Sequence, residues 1–266
     1  MIDTLKFYFR IYFQIEAQYI KSRMQYRDDF IISTIGMLFS SLTTVGVFWV
    51  IFDTVPELDG WSLNEIIFIY SFYLLATNPM QTLFDHFWQL RIHVLKGTFI
   101  KYYFRPLNMM FYYVSEMFDV KGIMQLFLGI ALFVYSSNSL GLVWNLKQLI
   151  YLIILLLSAS LVIISIMIVA ASASFWIYNS FPVMDLAWRL REYAPYPMSI
   201  YKGFFQILFT YVIPIGFISF YPSQVFIRPE ELTPIIFLSP AMGIIFSFIA
   251  YRVWTAGVNS YTGTGS

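Results

Sequence analysis

The sequence predicts an all-α integral membrane protein with six transmembrane helices, and three observations support this fold class. Hydrophobic residues make up 59% of the 266 residues and charged residues only 12%, whereas soluble domains typically carry about 25% charged residues. Uncharged runs approach the ~20 residues that a helix needs to cross a bilayer. Basic residues are concentrated in alternate connecting segments, which is typical of a multi-pass membrane protein.

Residues 1–29 are predicted to form an amphipathic helix in the membrane interface. Their polar side chains recur at helical spacing and form one stripe, which comprises Lys6, Arg10, Gln14, Gln18 and Lys21. A basic face favours lipid headgroups, and an apolar face favours the acyl boundary. We interpret the segment as an elbow helix on the inner leaflet. The alternative is a cytosolic helix that packs on a partner.

The six spans are predicted within a single transmembrane domain over residues 1–266. Spans 1 and 2 lie within 30–84, at Phe30–Phe52 and Ile66–Phe84, and a polar loop follows at 85–117. Spans 3 to 6 lie within 118–255; they begin at Gly122 and occupy Gln148–Ser172, Gly203–Tyr221 and Pro234–Tyr251. Residues 256–266 are predicted to form a cytoplasmic tail.

The distribution of lysine and arginine predicts the orientation. With the N-terminus inside, fourteen basic residues fall in cytoplasmic segments, including Arg189, Arg191 and Lys202, and only Lys147 and Arg228 remain outside. Cytoplasmic loops carry the excess of basic residues in multi-pass proteins. We therefore predict a protein of the cell membrane with both termini in the cytoplasm.

The 85–117 loop is predicted to contain a docked helix rather than a slack linker. Leu90, Val94 and Gly97 fall at helical spacing, and glycine suits the left-handed conformation that ends many helices. Pro106 disfavours helix in the residue before it and can open the helix that leads to the third span. The alternative is a basic loop that touches anionic lipid headgroups.

Short motifs follow one another in a defined order along the chain. They are Lys96-Gly97, Arg105-Pro106-Leu107, Tyr196-Pro197, Ile200-Tyr201, Ile213-Pro214, Tyr221-Pro222 and the tail Tyr261–Ser266, which reads YTGTGS. With this order and spacing the chain resembles, over nearly its whole length, the permease subunits of type 2 ABC exporters. It is most similar to the branch of six-span permeases served by a separate ATPase.

The resemblance implies a complex of two permease chains, identical or a related pair, with two copies of the separate ATPase. ATP and Mg²⁺ would bind in that partner, and the expected cargo is amphipathic and drug-, peptide- or lipid-like. The loop between spans 2 and 3 would contain the coupling helix. The residues expected to couple it to the ATPase are Leu90, Arg91, Val94, Lys96, Gly97, Lys101, Arg105 and Pro106.

The chain carries no motif for chemistry of its own. A glycine-rich phosphate loop is missing, because the Lys21-Ser22 dipeptide has no glycine before it. His86 and His93 are better explained as a polar helix face than as a metal site. We therefore predict a subunit that is not an enzyme and binds no cofactor and no nucleic acid.

Two other functional classes compete with an ATP-driven permease. The predicted membrane interior contains no charged residue away from its ends, which argues against a carrier driven by protons or sodium. A membrane scaffold or assembly factor that transports nothing is the stronger alternative. A neighbouring gene for a phosphate-loop ATPase would favour the permease.

Six residues are candidates for the translocation path or its gate, namely Trp49, Tyr73, Asn78, Pro214, Gly216 and Pro222. Aromatic residues near span ends also serve as interfacial anchors, and hydrogen bonding between helices is the alternative role for Asn78. Pro214 and Gly216 interrupt the fifth predicted span. A re-entrant outer gate and an ordinary proline kink are both compatible with that interruption.

Overall fold

The computed structural model describes residues 2–23, 27–119 and 121–263, and these ranges contain no β-strand. The predicted all-α fold class is confirmed. The α-helices of the described ranges are α1 Ile2–Arg23, α2 Arg27–Thr54, α3 Leu63–Leu83, α4 Leu90–Leu95, α5 Met109–Ser115, α6 Lys121–Ser139, α7 Leu146–Ser172, α8 Phe181–Arg191, α9 Phe204–Ile207, α10 Phe220–Ile227 and α11 Ser239–Ser260.

Within the described ranges, four helices are long and apolar enough to cross a membrane. They are Ile31–Thr54 in α2, Gly122–Ser139 in α6, Leu146–Phe175 in α7 with the turn after it, and Pro234–Ser260 in α11 with the turn before it. These segments match predicted spans 1, 3, 4 and 6. The last helix continues to Ser260, so the predicted tail begins later than residue 256, and residues 264–266 lie outside the described part.

α7 begins slightly earlier than predicted because Asn145 caps it. The Asn145 Oδ1 accepts a hydrogen bond from the Gln148 amide at 2.9 Å, and the Gln148 Oε1 accepts one from the Asn145 amide at 3.0 Å. This reciprocal arrangement satisfies two backbone donors that the helix itself leaves unpaired. The helix therefore begins at Leu146 rather than at Gln148.

α3 matches the second predicted span and lies among α2, α6, α7 and α10. Its 21 residues give a length of about 31 Å at 1.5 Å per residue. It is not one of the four segments above, and its C-terminal half carries Thr77, Asn78, Gln81 and Thr82. Protein rather than lipid covers most of α3, so these polar side chains can face neighbouring helices.

The fifth predicted span, Gly203–Tyr221, is interrupted, as Pro214 and Gly216 indicated, and it is not a single helix. This region comprises α9, a π-helical turn at Leu208–Val212, a 3-10 turn at Ile215–Phe217 and the start of α10. Pro214 lacks the amide that would continue the helix. A hydrogen bond of 2.7 Å joins the hydroxyls of Thr210 and Tyr221 across the break. The region is therefore a broken helix whose two parts contact each other, not a kinked one.

The segment after α8 lies at the end of the bundle opposite the 85–117 loop. Trp61, in the connection between α2 and α3, donates a hydrogen bond from Nε1 to the Ser199 Oγ at 3.1 Å. Tyr196 packs edge-to-face on Phe48, near the C-terminal end of α2. The segment that follows α8 therefore runs into the bundle.

Two of the basic residues that were predicted to be cytoplasmic have different surroundings. Arg191 is buried at the end of α8, whereas Lys202 is exposed and follows Ser199 by three residues. Removing these two from the fourteen predicted inner basic residues leaves twelve. The predicted orientation therefore does not depend on them.

α7 and α11 approach each other closely through small residues. The Gly243 amide donates a hydrogen bond to the Ser158 Oγ at 2.9 Å, and this Oγ donates to the Ser239 carbonyl at 2.5 Å. A Cβ atom at Gly243 would lie 2.5 Å from the Ser158 carbonyl oxygen. Small residues allow membrane helices to pack at such distances, so α7 and α11 form a tight pair.

The N-terminal helix also follows the prediction in part. α1 is a helix, and its predicted polar stripe is exposed along its length. Tyr8 packs edge-to-face on Phe111 of α5, with ring centroids 4.7 Å apart. α1 therefore contacts the 85–117 loop, while its placement in a membrane interface stays a prediction.

Candidate functional site

A cavity of about 610 Å³ opens between α2, α3, α6 and the end of α8. Its volume falls within the 300–1,000 Å³ that is usual for small-molecule sites. The lining residues are Ser33, Met37, Ser40, Ser41 and Thr44 of α2; Tyr70, Tyr73, Leu74 and Gln81 of α3, with Asp85 beyond it; Asp119, Gly122 and Gln125 near the start of α6; and Trp188, Arg191, Glu192, Pro195 and Tyr196.

The α2 wall of the cavity is a polar face of an otherwise apolar helix. Ser33, Ser40, Ser41 and Thr44 are separated by seven, one and three residues, which places them on one side of a helix. The Tyr70 hydroxyl donates a hydrogen bond to the Ser41 carbonyl at 3.1 Å. This serine and threonine pattern was present in the sequence, and our sequence interpretation missed it.

Arg191 is the only basic residue that lines the cavity within the described part of the chain. Its side chain is 7% exposed, and its Cζ lies 3.3 Å from the centroid of the Trp188 ring. The buried Nε and Nη1 atoms have no hydrogen-bond partner among the described residues. Arginine does not lose its proton in proteins, so the cavity contains a buried positive charge that its surroundings leave partly unsatisfied.

Two glutamine side chains add further unpaired polar atoms. Gln81 of α3 and Gln125 of α6 each have a buried Oε1 without a hydrogen-bond partner in residues 2–23, 27–119 and 121–263. Buried polar groups are normally hydrogen-bonded, so each exception requires an explanation. Lining residues on three walls of the cavity therefore carry buried polar atoms without a partner in the described ranges, which is an arrangement suited to binding a polar ligand.

The six candidate path residues do not lie together, and only Tyr73 among them lines the cavity. Tyr73 lines the cavity and stacks with Tyr70 at a centroid distance of 6.1 Å. The Asn78 Nδ2 donates to the Gly122 carbonyl at 2.5 Å, so Asn78 joins α3 to α6, as the alternative interpretation had it. Trp49 of α2 is 65% exposed and does not line the cavity.

The three residues predicted for a gate lie in the broken region, and none of them lines the cavity. Pro214 stands at the break and Pro222 is buried within α10. A Cβ atom at Gly216 would lie 2.7 Å from the Tyr221 ring and 3.0 Å from the Met198 Cγ. Glycine is therefore required at 216 for close packing, and a gating role for this region stays a prediction.

The 85–117 loop is folded, as predicted, and contains α4, a 3-10 turn at Thr98–Tyr102 and α5. Gly97 has a φ of +68°, the left-handed conformation that the sequence predicted at the end of the first helix. A Cβ atom there would lie 3.5 Å from the Gly263 carbonyl oxygen. The tail therefore returns to the loop.

The predicted coupling residues divide into buried and exposed groups. Leu90 and Val94 are buried in the core and cannot face a partner directly. Arg91 is half-buried beside the junction of α7 and α8, near Ser180 and Phe181. The exposed residues of the loop include Lys96, Lys101, Arg105 and Pro106 from the prediction and Ile92, Ile100 and Phe104, which the sequence interpretation missed.

A cluster of polar side chains within the 85–117 loop stabilises its fold. Lys101 Nζ lies 2.8 Å from the Glu116 Oε2, and the Tyr102 hydroxyl donates to the same oxygen. Burial alone would raise the pKa of Glu116, but the hydrogen bonds from Lys101 and Tyr102 outweigh it and hold this pKa below its usual value. Glu116 is therefore ionised at neutral pH.

His86 is neutral in this cluster. Burial lowers its pKa to about 4, although Glu116 acts in the opposite direction. The contact of 3.6 Å between His86 Nε2 and the Glu116 carboxylate is therefore not an ion pair at neutral pH. The Tyr113 hydroxyl donates to the His86 carbonyl at 2.8 Å, so the residue is held by its backbone as well.

Acidification is expected to loosen the loop. Because the folded pKa of His86 lies below its ordinary value of 6.5, the unfolded loop binds a proton first, and stability is lost as the pH falls from about 6.5 to 4. The shift corresponds to ~3 kcal/mol. Hydrogen exchange, corrected for intrinsic rates, should show loop protection falling about 100-fold over this window.

His86→Phe is the matched variant, because it keeps an aromatic ring but cannot bind a proton. Loop protection in this variant should retain only a smaller pH dependence. This remainder is due to His93, whose pKa is also lowered by burial, and to Glu116 at more acidic pH. An unchanged pH profile in His86→Phe would show that His86 is not the responsible group.

The described residues contain no group of three or more histidine, cysteine or acidic side chains that could hold a metal ion. His86 and His93 instead lie in an aromatic environment, each within 6.2 Å of the Tyr113 ring by centroid distance. The geometry of this region is therefore that of a packed support for the loop.

Comparison with known proteins identifies the family. No curated protein and no solved structure shows a significant match to the chain. Residues 38–265 match a family model described as ABC-2 family transporter protein. This range includes the 85–117 loop, the broken region and every residue that lines the cavity except Ser33 and Met37. It agrees with the resemblance that the sequence motifs indicated. The chain belongs to the ABC-2 family of transporter proteins.

Proposed function

We propose that the chain is the transmembrane permease subunit of an ATP-driven exporter in the cell membrane. It would cross the membrane six times, with α3 as the second crossing and the segments from α8 to α10 as the fifth. Both termini would be cytoplasmic. The cargo would be an amphipathic drug-, peptide- or lipid-like molecule.

A partner ATPase follows in general from membership of the family. We propose two copies of it, with ATP and Mg²⁺ bound there, together with a second permease chain that is identical or related. The chain itself would hold no nucleotide or other cofactor. Its own contribution would be the cavity and the surface that receives the ATPase.

The observation that most supports this proposal is that the loop and the cavity are built on the same helices. The loop joins the end of α3 to the start of α6, and Asp85 and Asp119 at its two ends both line the cavity. Trp88 of the loop packs edge-to-face on Trp188 of α8, with ring centroids 5.2 Å apart. A displacement of the loop would therefore act on three walls of the cavity.

Different residues of the loop would have different roles in coupling the ATPase to the cavity. The exposed apolar and basic side chains would contact the ATPase, whereas Leu90 and Val94 would transmit the displacement because both are packed in the core. Interiors are close-packed and transmit strain. Closure of the ATPase dimer would then change the side to which the cavity opens.

Reconstitution tests the proposal. The chain and its ATPase, placed together in lipid vesicles, should show ATP-dependent movement of a fluorescent amphipathic dye and dye-stimulated ATP hydrolysis. The chain alone should neither bind nor hydrolyse ATP. ATP turnover by the isolated chain, or dye movement that needs no ATPase, would contradict the proposal.

Cysteine labelling tests the orientation and the position of Lys202. Single cysteines at Glu57, Lys202 and Glu230, all exposed, should react with an impermeant maleimide added to intact cells. A cysteine at Lys96 should react only after the membrane is opened. External labelling at Lys96 would place the loop on the wrong side. Absence of labelling at Lys202 would support the cytoplasmic position that the sequence predicts for it.

A further inference from the structure

The buried guanidinium of Arg191 is the feature that the proposed function leaves unexplained. Arg191 follows Phe181, the first residue of α8, by ten residues, which is about 15 Å along the helix. Trp188 covers one face of the group, and a cation over an aromatic ring is stabilised by it. Stacking does not satisfy N–H groups, however, and Nε and Nη1 remain unpaired within the described residues.

We infer that the cavity binds an amphipathic anion whose phosphate or carboxylate group pairs with Arg191. The inference rests on the proposed function and narrows its cargo. The planar guanidinium presents its donors in a fork that matches the oxygens of these groups. A buried cation with unpaired donors is unfavourable until such a partner arrives.

The rest of the cavity fits the apolar part of such a molecule. Tyr70, Tyr73 and Tyr196 provide aromatic surface, and Met37 and Leu74 provide aliphatic surface. The volume of about 610 Å³ holds a head group with part of a chain.

Other charges of the cavity confine the anion to Arg191. Asp85 and Asp119 lie at its inner end, where the 85–117 loop joins α3 and α6. Glu192 also lines the cavity but is exposed. Because these three carboxylates repel an anion, the guanidinium is the favourable place for it.

Arg189 provides a matched control on the same helix. It is exposed, and its Nε pairs with the Asp185 Oδ2 at 2.8 Å. Removal of its charge alters the net charge of α8 by the same amount as removal of the Arg191 charge. Only the Arg191 change should affect a ligand in the cavity.

The experiment measures binding to the permease alone in phosphatidylcholine nanodiscs, by quenching of tryptophan fluorescence. The probes are three single-chain molecules with brominated chains: a lysophosphatidic acid, a fatty acid and an uncharged monoacylglycerol. The wild type should bind at least one anionic probe ten-fold or more tightly than the uncharged one. The tighter anionic probe identifies whether a phosphate, as in lipid headgroups, or a free carboxylate is preferred.

Arg191→Gln should lose at least ten-fold in affinity for the preferred anion, Arg191→Lys should lose less, and Arg189→Gln should stay within two-fold of the wild type. The same anion should raise the melting temperature of the wild type but not of Arg191→Gln, which also shows whether that variant is folded. Equal binding of anionic and uncharged probes, or full affinity in a folded Arg191→Gln, would overturn the inference.

This design separates the inference from the function on which it rests. Binding is measured without ATPase or ATP, so failure of ATP-driven transport in vesicles leaves the binding result unaffected. Transport of the dye with no preference for anions would retain the exporter and reject the anionic cargo.

Discussion

Replacement of Phe104 by aspartate is expected to release the ATPase and reduce ATP-driven transport to background, while the chain still inserts in the membrane. Phe104 is 79% exposed and lies beside Arg105 at the turn of the loop. An exposed aromatic residue beside basic residues is typical of the centre of a protein interface. A carboxylate buried there without a partner would cost several kcal/mol.

The matched control for this variant is Val143→Asp. Val143 is 82% exposed and lies in the connection between α6 and α7, at the opposite end of the bundle, so the same charge placed there should not affect ATPase binding. Co-purification of the ATPase and dye transport are the two measurements. Normal co-purification and transport in Phe104→Asp would indicate that the loop faces lipid headgroups rather than the ATPase.

Gly243→Leu is expected to separate α7 from α11 and to lower the stability of the whole bundle. The first atom of any added side chain would lie 2.5 Å from the Ser158 carbonyl oxygen and 2.7 Å from its Cα. Backbone atoms cannot move aside as a side chain can, so the helices must move apart. We expect a loss of ~3 kcal/mol, at the upper end of overpacking effects, together with loss of the Ser158 hydrogen bonds.

Thermal unfolding in detergent measures this effect, with Gly46→Leu as the control. Gly46 lies in the membrane-spanning α2, and a Cβ atom added there would meet no atom of the described residues within 4 Å, so leucine should be accepted. A melting temperature for Gly243→Leu equal to that of Gly46→Leu would show that α7 and α11 are not packed as described.

Much of the membrane architecture could be predicted because hydrophobic runs directly report helices that face lipid. The first, third, fourth and sixth spans are of this kind, and their ends carry polar residues. The loop was predictable because Gly97 has few alternative roles at such a position. The fifth span was not, since Pro214 and Gly216 allow a kink and a break equally, and the contacts with Tyr221 and Met198 decide between them.

The candidate site was harder to predict because it depends on what surrounds each residue. An arginine near the end of an apolar run is usually cytoplasmic, and nothing local to Arg191 indicates that its side chain is buried. Leu90 and Val94 share a helix with exposed residues. Spacing alone therefore could not separate residues buried in the core from residues available to a partner. The spacing of the serines on α2 could be recognised in the sequence. Their role in a cavity follows only from the structure, in which Tyr70 and Arg191 line the same cavity.

The polar face of α2 makes one wall of the cavity different from the others. Only 11% of the spanning part of α2 is buried, compared with 61% for α7, and Tyr70 contacts it through a hydrogen bond to Ser41. Of the four segments, α2 therefore has the smallest buried share within this chain. During a transport cycle we would expect α2 to move relative to the rest of the bundle, while α7 and α11 stay together as a fixed pair.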